Sequence, residues 1–184
     1  MERQNIALIG FRATGKTTVG KILAQELGRM FIDMDLWLVS EAGRDIASWV
    51  AGDGWDSFRR AESALLEAVC LKKKVVLATG GGIILDPKNR EMLRRGFFTA
   101  WLKATPRTIH HRLSSDPESP QMRPAFSELP MLEEIEKVLS EREPLYSLVA
   151  DIEIDTEEKE TLRIVEEIMK TVEETSAGDL ETSL

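Results

Sequence analysis

Gly10-Phe11-Arg12-Ala13-Thr14-Gly15-Lys16-Thr17 fits the pattern G-x-x-x-x-G-K-[ST]. Those residue types at that spacing hold phosphate. Backbone amides of a tight glycine loop turn inward, and the positive end of a helix dipole stands behind them. Lys16 is expected to neutralise β- and γ-phosphates, and the Thr17 hydroxyl to ligate Mg²⁺. Gly10, Ala13, Thr14, Gly15 and Thr18 complete the expected nucleotide cradle.

Further residues could do chemistry beside such a loop. Asp33 and Asp35 close the stretch Phe31-Ile32-Asp33-Met34-Asp35. Residues two apart on a strand face one side, and two adjacent carboxylates need a positive partner such as Mg²⁺ or a hydroxyl to hold. The competing reading is a turn in which Asp35 caps the next helix. Arg59 and Glu62 are three apart on a helix and share a face, which in the plainer reading makes a solvated ion pair worth little. Thr79-Gly80-Gly81-Gly82 gives up much conformational entropy, more than a plain turn needs. Backbone without side chains there would let a ligand approach and receive amide hydrogen bonds. Arg142 near a helix C-terminus carries little information alone. His110 and His111 are adjacent, lack metal-ligand spacing and receive no role.

The elements that must position these groups alternate. Strands are expected at Ile6–Ile9, Met30–Asp33, Val75–Ala78, Phe98–Leu102 and Ile152–Ile154. Helices are expected at Lys16–Leu27, Leu36–Ala42, Ser57–Leu71, Pro87–Arg95, Pro106–Ser114, Leu132–Leu145 and Leu162–Glu173. This alternation predicts an α/β protein with a parallel sheet covered on both faces, and ligands at the carboxyl ends of the strands. About 40 residues separate the second and third strands, more than one crossover helix needs, which suggests a helical substrate lobe. Residues 115–124 hold three prolines and several small polar residues, a loop in which Arg123 suggests a lid. Residues 176–184 lack periodicity and read as a frayed tail.

Bulk composition narrows the function classes. The 184 residues suit one domain with a real core, and a hydrophobic fraction of 42% beside 30% charged residues is an ordinary globular balance. A formal net charge of −8 argues against nucleic-acid or anionic-membrane partners. Cys70 stands alone, so no internal disulfide forms, and it reads as a small core residue. No apolar run approaches the ~18 residues of a membrane span, and the N-terminus shows no secretory signal. A cytoplasmic location and a monomer are expected.

Taken in order, these residues resemble one family, shikimate kinase. The match is collinear from about Asn5 to Thr156. It joins the glycine loop, the D-x-D at Asp33 and Asp35, F-R-R-x-E at Phe58–Glu62, G-G-G at Gly80–Gly82, R-P at Arg123-Pro124 and R-x-P-L-Y at Arg142–Tyr146. The resemblance implies ATP-dependent phosphorylation of the 3-hydroxyl of shikimate, in chorismate and aromatic amino-acid biosynthesis. It implies a P-loop three-layer α/β/α fold of the nucleoside monophosphate kinase type. A single domain over residues 1–175 would contain a central five-stranded parallel sheet, a substrate lobe at about 34–62 and a mobile lid at about 114–128.

The resemblance also implies roles. Asp35, Arg59, Gly80, Gly81, Gly82 and Arg142 would hold shikimate, and Lys16, Asp35 and Arg123 would serve catalysis. Asp33 would reach Mg²⁺ together with Thr17. Arg123 would swing from the lid to the phosphates, Arg112 would stack on adenine, and Asp155 and Thr156 would line the other side of that base. Departures concern the pocket walls. The family's loop often has glycine where Ala13 stands, a glutamate commonly follows Gly54 where this chain has Trp55, and the lobe aromatic common near Val50 is here Trp49. Another small-molecule kinase of the same fold, of gluconate or nucleotide type, and a nucleotide-binding module without transfer are the alternatives.

Overall fold

The computed structural model describes residues 5–115 and 130–181, the last six in backbone only. Most of the expected lid, with Arg123, lies outside the described residues. In chain order the elements are β1 (Asn5–Ile9), α1 (Lys16–Glu26), β2 (Met30–Asp33), α2 (Met34–Ala42), α3 (Ile46–Cys70), β3 (Val75–Ala78), a 3₁₀ turn (Ile83–Leu85), α4 (Pro87–Gly96), β4 (Phe97–Lys103), α5 (Pro106–Ser114), α6 (Met131–Ser147), β5 (Ile152–Asp155) and α7 (Thr161–Glu181).

The five strands form one parallel sheet in the order β2-β3-β1-β4-β5. Their near-continuous apolar runs are what a sheet covered on both faces requires. The two-residue period then divides each strand between two cores. Ala7, Ile9, Val75, Leu77, Phe97 and Trp101 pack with Leu66 and Val69 of α3, Leu93 of α4 and Tyr146 of α6. Ile6, Leu8, Val76, Phe98, Ala100 and Leu102 pack on the opposite face with Val19 and Leu23 of α1 and Ile164, Val165 and Ile168 of α7. Helices therefore cover both faces, giving the three-layer α/β/α fold. A separate small core of Leu38, Ile46 and Phe58, with Trp49, Val50 and Trp55 against it, joins α2 to the start of α3.

Three elements differ from the sequence expectation. α3 starts at Ile46 rather than Ser57, because Asp45 caps it by accepting from the Ser48 amide at 2.6 Å. Gly54, at φ 77°, breaks the helical path inside it, and that interruption hides the first turns from a periodicity reading. α2 starts at Met34, so Asp35 lies in a first helical turn and not on an extended strand. α7 runs on to Glu181, so the expected tail at 176 begins as helix. A helix already nucleated by packing propagates into polar sequence at little cost.

Glycine is required where β1 turns into the loop. Gly10 adopts φ 137°, and a Cβ there would lie 2.4 Å from the Leu102 carbonyl oxygen. Gly28, at φ 59°, has open space around it. Gly10→Ala is therefore expected to destabilise the fold by about 3 kcal/mol or more, through strain plus overlap with backbone. Gly28→Ala should cost only the left-handed penalty of about 1 kcal/mol. Urea unfolding of the two variants checks the contrast.

Candidate active site

β1 delivers the chain to the glycine loop, and the loop is braced from within. The Thr14 hydroxyl donates to the Phe11 carbonyl at 2.9 Å. Lys16 is buried, and its ammonium donates to the carbonyls of Gly10 at 2.9 Å and Phe11 at 2.7 Å. Gly15, at φ 93°, stands at the N-cap of α1, so the first amides of that helix face the loop. Ala13 adopts φ 61°, a left-handed conformation that suits glycine. Its methyl packs against the cluster of Ile109, Leu113 and Ile135, which offsets that strain.

The carboxylates lie beside the loop. The Thr17 hydroxyl donates to Asp33 Oδ2 at 2.6 Å. Asp33 Oδ1 accepts from the Leu36 amide at 3.1 Å, so Asp33 and not Asp35 caps α2. One residue thus fixes a helix start and the hydroxyl of the phosphate loop. Asp35, in the first turn of the helix, lines the same cavity. The two carboxylates share the cavity although the strand ends before Asp35.

On the far side, Glu62 is wholly buried and pairs with Arg59. The solvated-pair reading fails there. Burial, with a smaller push from Asp35, raises the Glu62 carboxyl to about 7, against the pull of Arg59 and Arg142. Gly80–Gly82 serve these side chains. A Cβ on Gly80 would lie 2.1 Å from Glu62 Oε1, and one on Gly82 would lie 2.3 Å from the Arg59 guanidinium carbon. The glycines admit protein groups, where the sequence suggested ligand backbone contacts. The Gly81 carbonyl accepts from Arg142 at 3.3 Å and from the Tyr146 hydroxyl. Burial pushes the Tyr146 phenol up to about 12, so it stays a donor, and burial lowers the pKa of Arg142. The Arg59 guanidinium stands 4.9 Å above the Trp55 ring.

The third wall joins α5 to the end of β5. Arg112 donates to the Ala13 carbonyl at 3.1 Å and to the Thr156 carbonyl at 3.2 Å. Asp155 turns away: it accepts from the Glu157 amide and faces a neighbouring depression. Asp155 therefore does not line the cavity that Arg112 and Thr156 border.

One cavity of about 420 Å³ unites these groups. It is lined by Ala13, Thr14, Gly15, Lys16, Thr17, Thr18, Asp33, Asp35, Arg59, Gly80, Gly81, Gly82, Arg112, Arg142 and Thr156, and Gly10 lies just behind it. Sequence reasoning assigned no role to Arg12, Glu62, Trp55 or Lys159, which also line it. For Glu62 the signal was present in its spacing from Arg59. Lys159 carries no local signal.

A family profile described as shikimate kinase matches residues 12–173. The chain belongs to the shikimate kinase family. The shikimate kinase of Syntrophus aciditrophicus is 41% identical over 175 residues, covering 91% of this chain and 90% of that one. Shikimate kinase 2 of Yersinia enterocolitica is 42% identical, covering 90% and 94%. The structure of the shikimate kinase from Acinetobacter baumannii in complex with shikimate superposes with a TM-score of 0.87 at 31% identity, covering 94% of each chain. Membership makes this chain a kinase with ATP as co-substrate. No helix among the described residues is long and apolar enough to cross a membrane.

The buried Glu62 of this shikimate kinase site gives a pH signature. Its pKa is raised in the fold, so folding favours the protonated form. That contribution is complete below its ordinary value of 4.5 and is lost as pH rises through about 7. The stability of the native sequence relative to Glu62→Gln should therefore fall between about pH 5 and pH 8, by up to about 3 kcal/mol. Denaturant unfolding at the two pH values measures it, and a flat difference contradicts the assignment.

Proposed function

We propose that the chain phosphorylates the 3-hydroxyl of shikimate from ATP, in chorismate and aromatic amino-acid biosynthesis, with the cavity divided between the two substrates. The observation that carries this division is the joining of a phosphate loop to two arginines, each fixed from behind: Arg59 by Glu62, Arg142 beside Tyr146 on the Gly81 carbonyl. A guanidinium fork matches a carboxylate geometrically, which suits the carboxylate of shikimate. Asp35 and Gly80–Gly82 complete the acceptor side. Arg112 and Thr156 suit the adenine end.

The chemistry follows from these positions. The acceptor oxygen forms a bond to the γ-phosphorus as the bond from that phosphorus to the bridging oxygen breaks. ADP leaves with the bonding electrons, and the hydroxyl proton passes to Asp35. Such a loose transition state needs position and charge neutralisation more than a strong base. Lys16 would exchange its loop carbonyls for phosphate oxygens. Arg123 would bring a further cation from the lid at about 114–128, and closure would exclude water as a competing acceptor. The helical lobe at about 34–62 would carry the acceptor.

The Thr17 hydroxyl and Asp33 carboxylate, two hard oxygen donors 2.6 Å apart at the loop, fit Mg²⁺, which takes one or two protein oxygens and fills its octahedron with water and phosphate. Bound there, Mg²⁺ would neutralise charge on the β- and γ-phosphates. A cytoplasmic location and action as a monomer belong to the same reading.

Purified protein with MgATP should release ADP in response to shikimate and not to other polyols or nucleoside monophosphates. Silence with shikimate from folded protein sinks the assignment. Asp35→Asn should lower kcat by about 10²-fold or more while ADP affinity, read by calorimetry, changes by less than about threefold. Equal loss of nucleotide binding contradicts the role given to Asp35.

A further inference from the structure

Ala13 stands in the glycine loop in a conformation that suits glycine, and α5 answers it twice. Its backbone adopts φ 61°, a left-handed conformation that is disfavoured for alanine by about tenfold. The methyl group packs against Ile109 and Leu113 of α5. The same helix carries Arg112, whose guanidinium donates to the Ala13 carbonyl at 3.1 Å. Arg112 is itself held on its other side. The nitrogen that reaches Ala13, Nη1, also donates to the Thr156 hydroxyl at 3.3 Å, and Nη2 donates to the Thr156 carbonyl at 3.2 Å. Thr156 is buried, and its amide and hydroxyl both donate to the Lys103 carbonyl at the end of β4, at 2.9 Å and 2.8 Å. An unbroken chain of hydrogen bonds therefore runs from the edge of the sheet through Arg112 to the middle of the loop. A planar guanidinium fork suits such a bridge because its donors are fixed relative to one another.

The Ala13 carbonyl matters because of the peptide plane. A trans peptide turns its carbonyl and the following amide in opposite directions, so a fixed Ala13 carbonyl also fixes the Thr14 amide. Amides of such a loop are its phosphate donors. An alanine left to its own preference would rotate this peptide out of the left-handed conformation and carry the amide with it.

We propose that Arg112 is a positioning residue for phosphate, acting through Ala13: it holds the glycine loop in its phosphate-binding shape before any base is bound. This rests on the reading of the loop as a phosphate cradle. It is separate from a stacking contact with adenine, which uses the flat face of the guanidinium, whereas these bonds use its edge. The arginine supplies the left-handed turn that glycine would adopt unaided.

A double-mutant cycle of Arg112→Met and Ala13→Gly tests this, with affinities for MgADP and for tripolyphosphate with Mg²⁺ read by calorimetry. Tripolyphosphate has no base, so stacking contributes nothing to its binding. Arg112→Met is expected to weaken tripolyphosphate by about fivefold or more, because the binding-competent loop becomes a minor state. In the Ala13→Gly background the same change should cost about threefold less, since glycine enters the left-handed region freely. Loss of the arginine charge alone would weaken tripolyphosphate equally in both backgrounds, and that result overturns the proposal. So does an Arg112→Met variant that weakens MgADP alone, which leaves Arg112 with the base only. If Arg112→Met does not fold, Arg112→Gln, polar but too short to span Ala13 and Thr156, carries the same comparison. Native protein that binds MgADP but no tripolyphosphate also overturns the proposal, because a preset loop holds phosphates without the base. Failure to bind either ligand overturns the phosphate-cradle reading instead, which separates the two failures.

Discussion

The parallel pairing of β1 with β3 is the constraint on which the site depends. Leu8 stands opposite Ala78, and the Leu8 carbonyl accepts from both the amide of Thr79 at 3.1 Å and its hydroxyl at 3.0 Å. Parallel neighbours end at the same edge of a sheet, so their loops emerge side by side. The glycine loop and Gly80–Gly82 must then touch. β2 pairs with β3 on its other side, Asp33 opposite Ala78, and brings Asp33 to the same edge. Three loops distant in sequence therefore meet in one cavity because of register alone. A ligand site at the carboxyl edge of the strands is a property of this topology before any side chain is considered.

Charge is the second organising term. The whole chain is formally −8, yet the cavity is lined by Arg12, Lys16, Arg59, Arg112, Arg142 and Lys159 against Asp33, Asp35 and Glu62. An acidic exterior around a basic cleft focuses anions inward, where low-dielectric walls strengthen each contact. Cations crowded together also repel, and the described residues show how that is contained. Glu62 pairs with Arg59, Glu134 with Arg12, and the Gly81 carbonyl accepts from Arg142. The compensating acids Glu62 and Glu134 are the more buried members of their pairs. That arrangement orients the donors without cancelling the field where the phosphates would lie.

Much of this was legible in the chain. The strand–loop–helix context of Gly10–Thr17, the alternation of elements and the four-residue runs ending at Asp33 and Ala78 are local patterns, and local patterns survive folding. The burial of Glu62 was not legible, because F-R-R-x-E reads equally as a solvated face until tertiary packing encloses it. Arg12 was invisible for a different reason: its partner lies 122 residues away, and no spacing rule reaches that far. Asp155 and Thr156 border different depressions. Adjacent positions at a strand end point to opposite sides, so Thr156 reaches the cavity and Asp155 does not. The start of α3 was hidden by Gly54, whose non-helical backbone breaks the period.

α6 shows why loop, acceptor and pairing residues act together. Glu134 near its start holds the glycine loop, and Arg142 and Tyr146 near its end hold Gly81. Eight residues separate Glu134 from Arg142, a span of about 12 Å along one rigid axis. A shift of the loop would therefore act on the same body that carries Arg142. Its far end is anchored by Tyr146, wholly buried and stacked on Trp101 of β4 at 5.5 Å. Because the core cannot deform continuously, the helix moves as a unit or not at all. The glycine loop and Gly80–Gly82 are thus joined by backbone register at the sheet edge and by one helix across it.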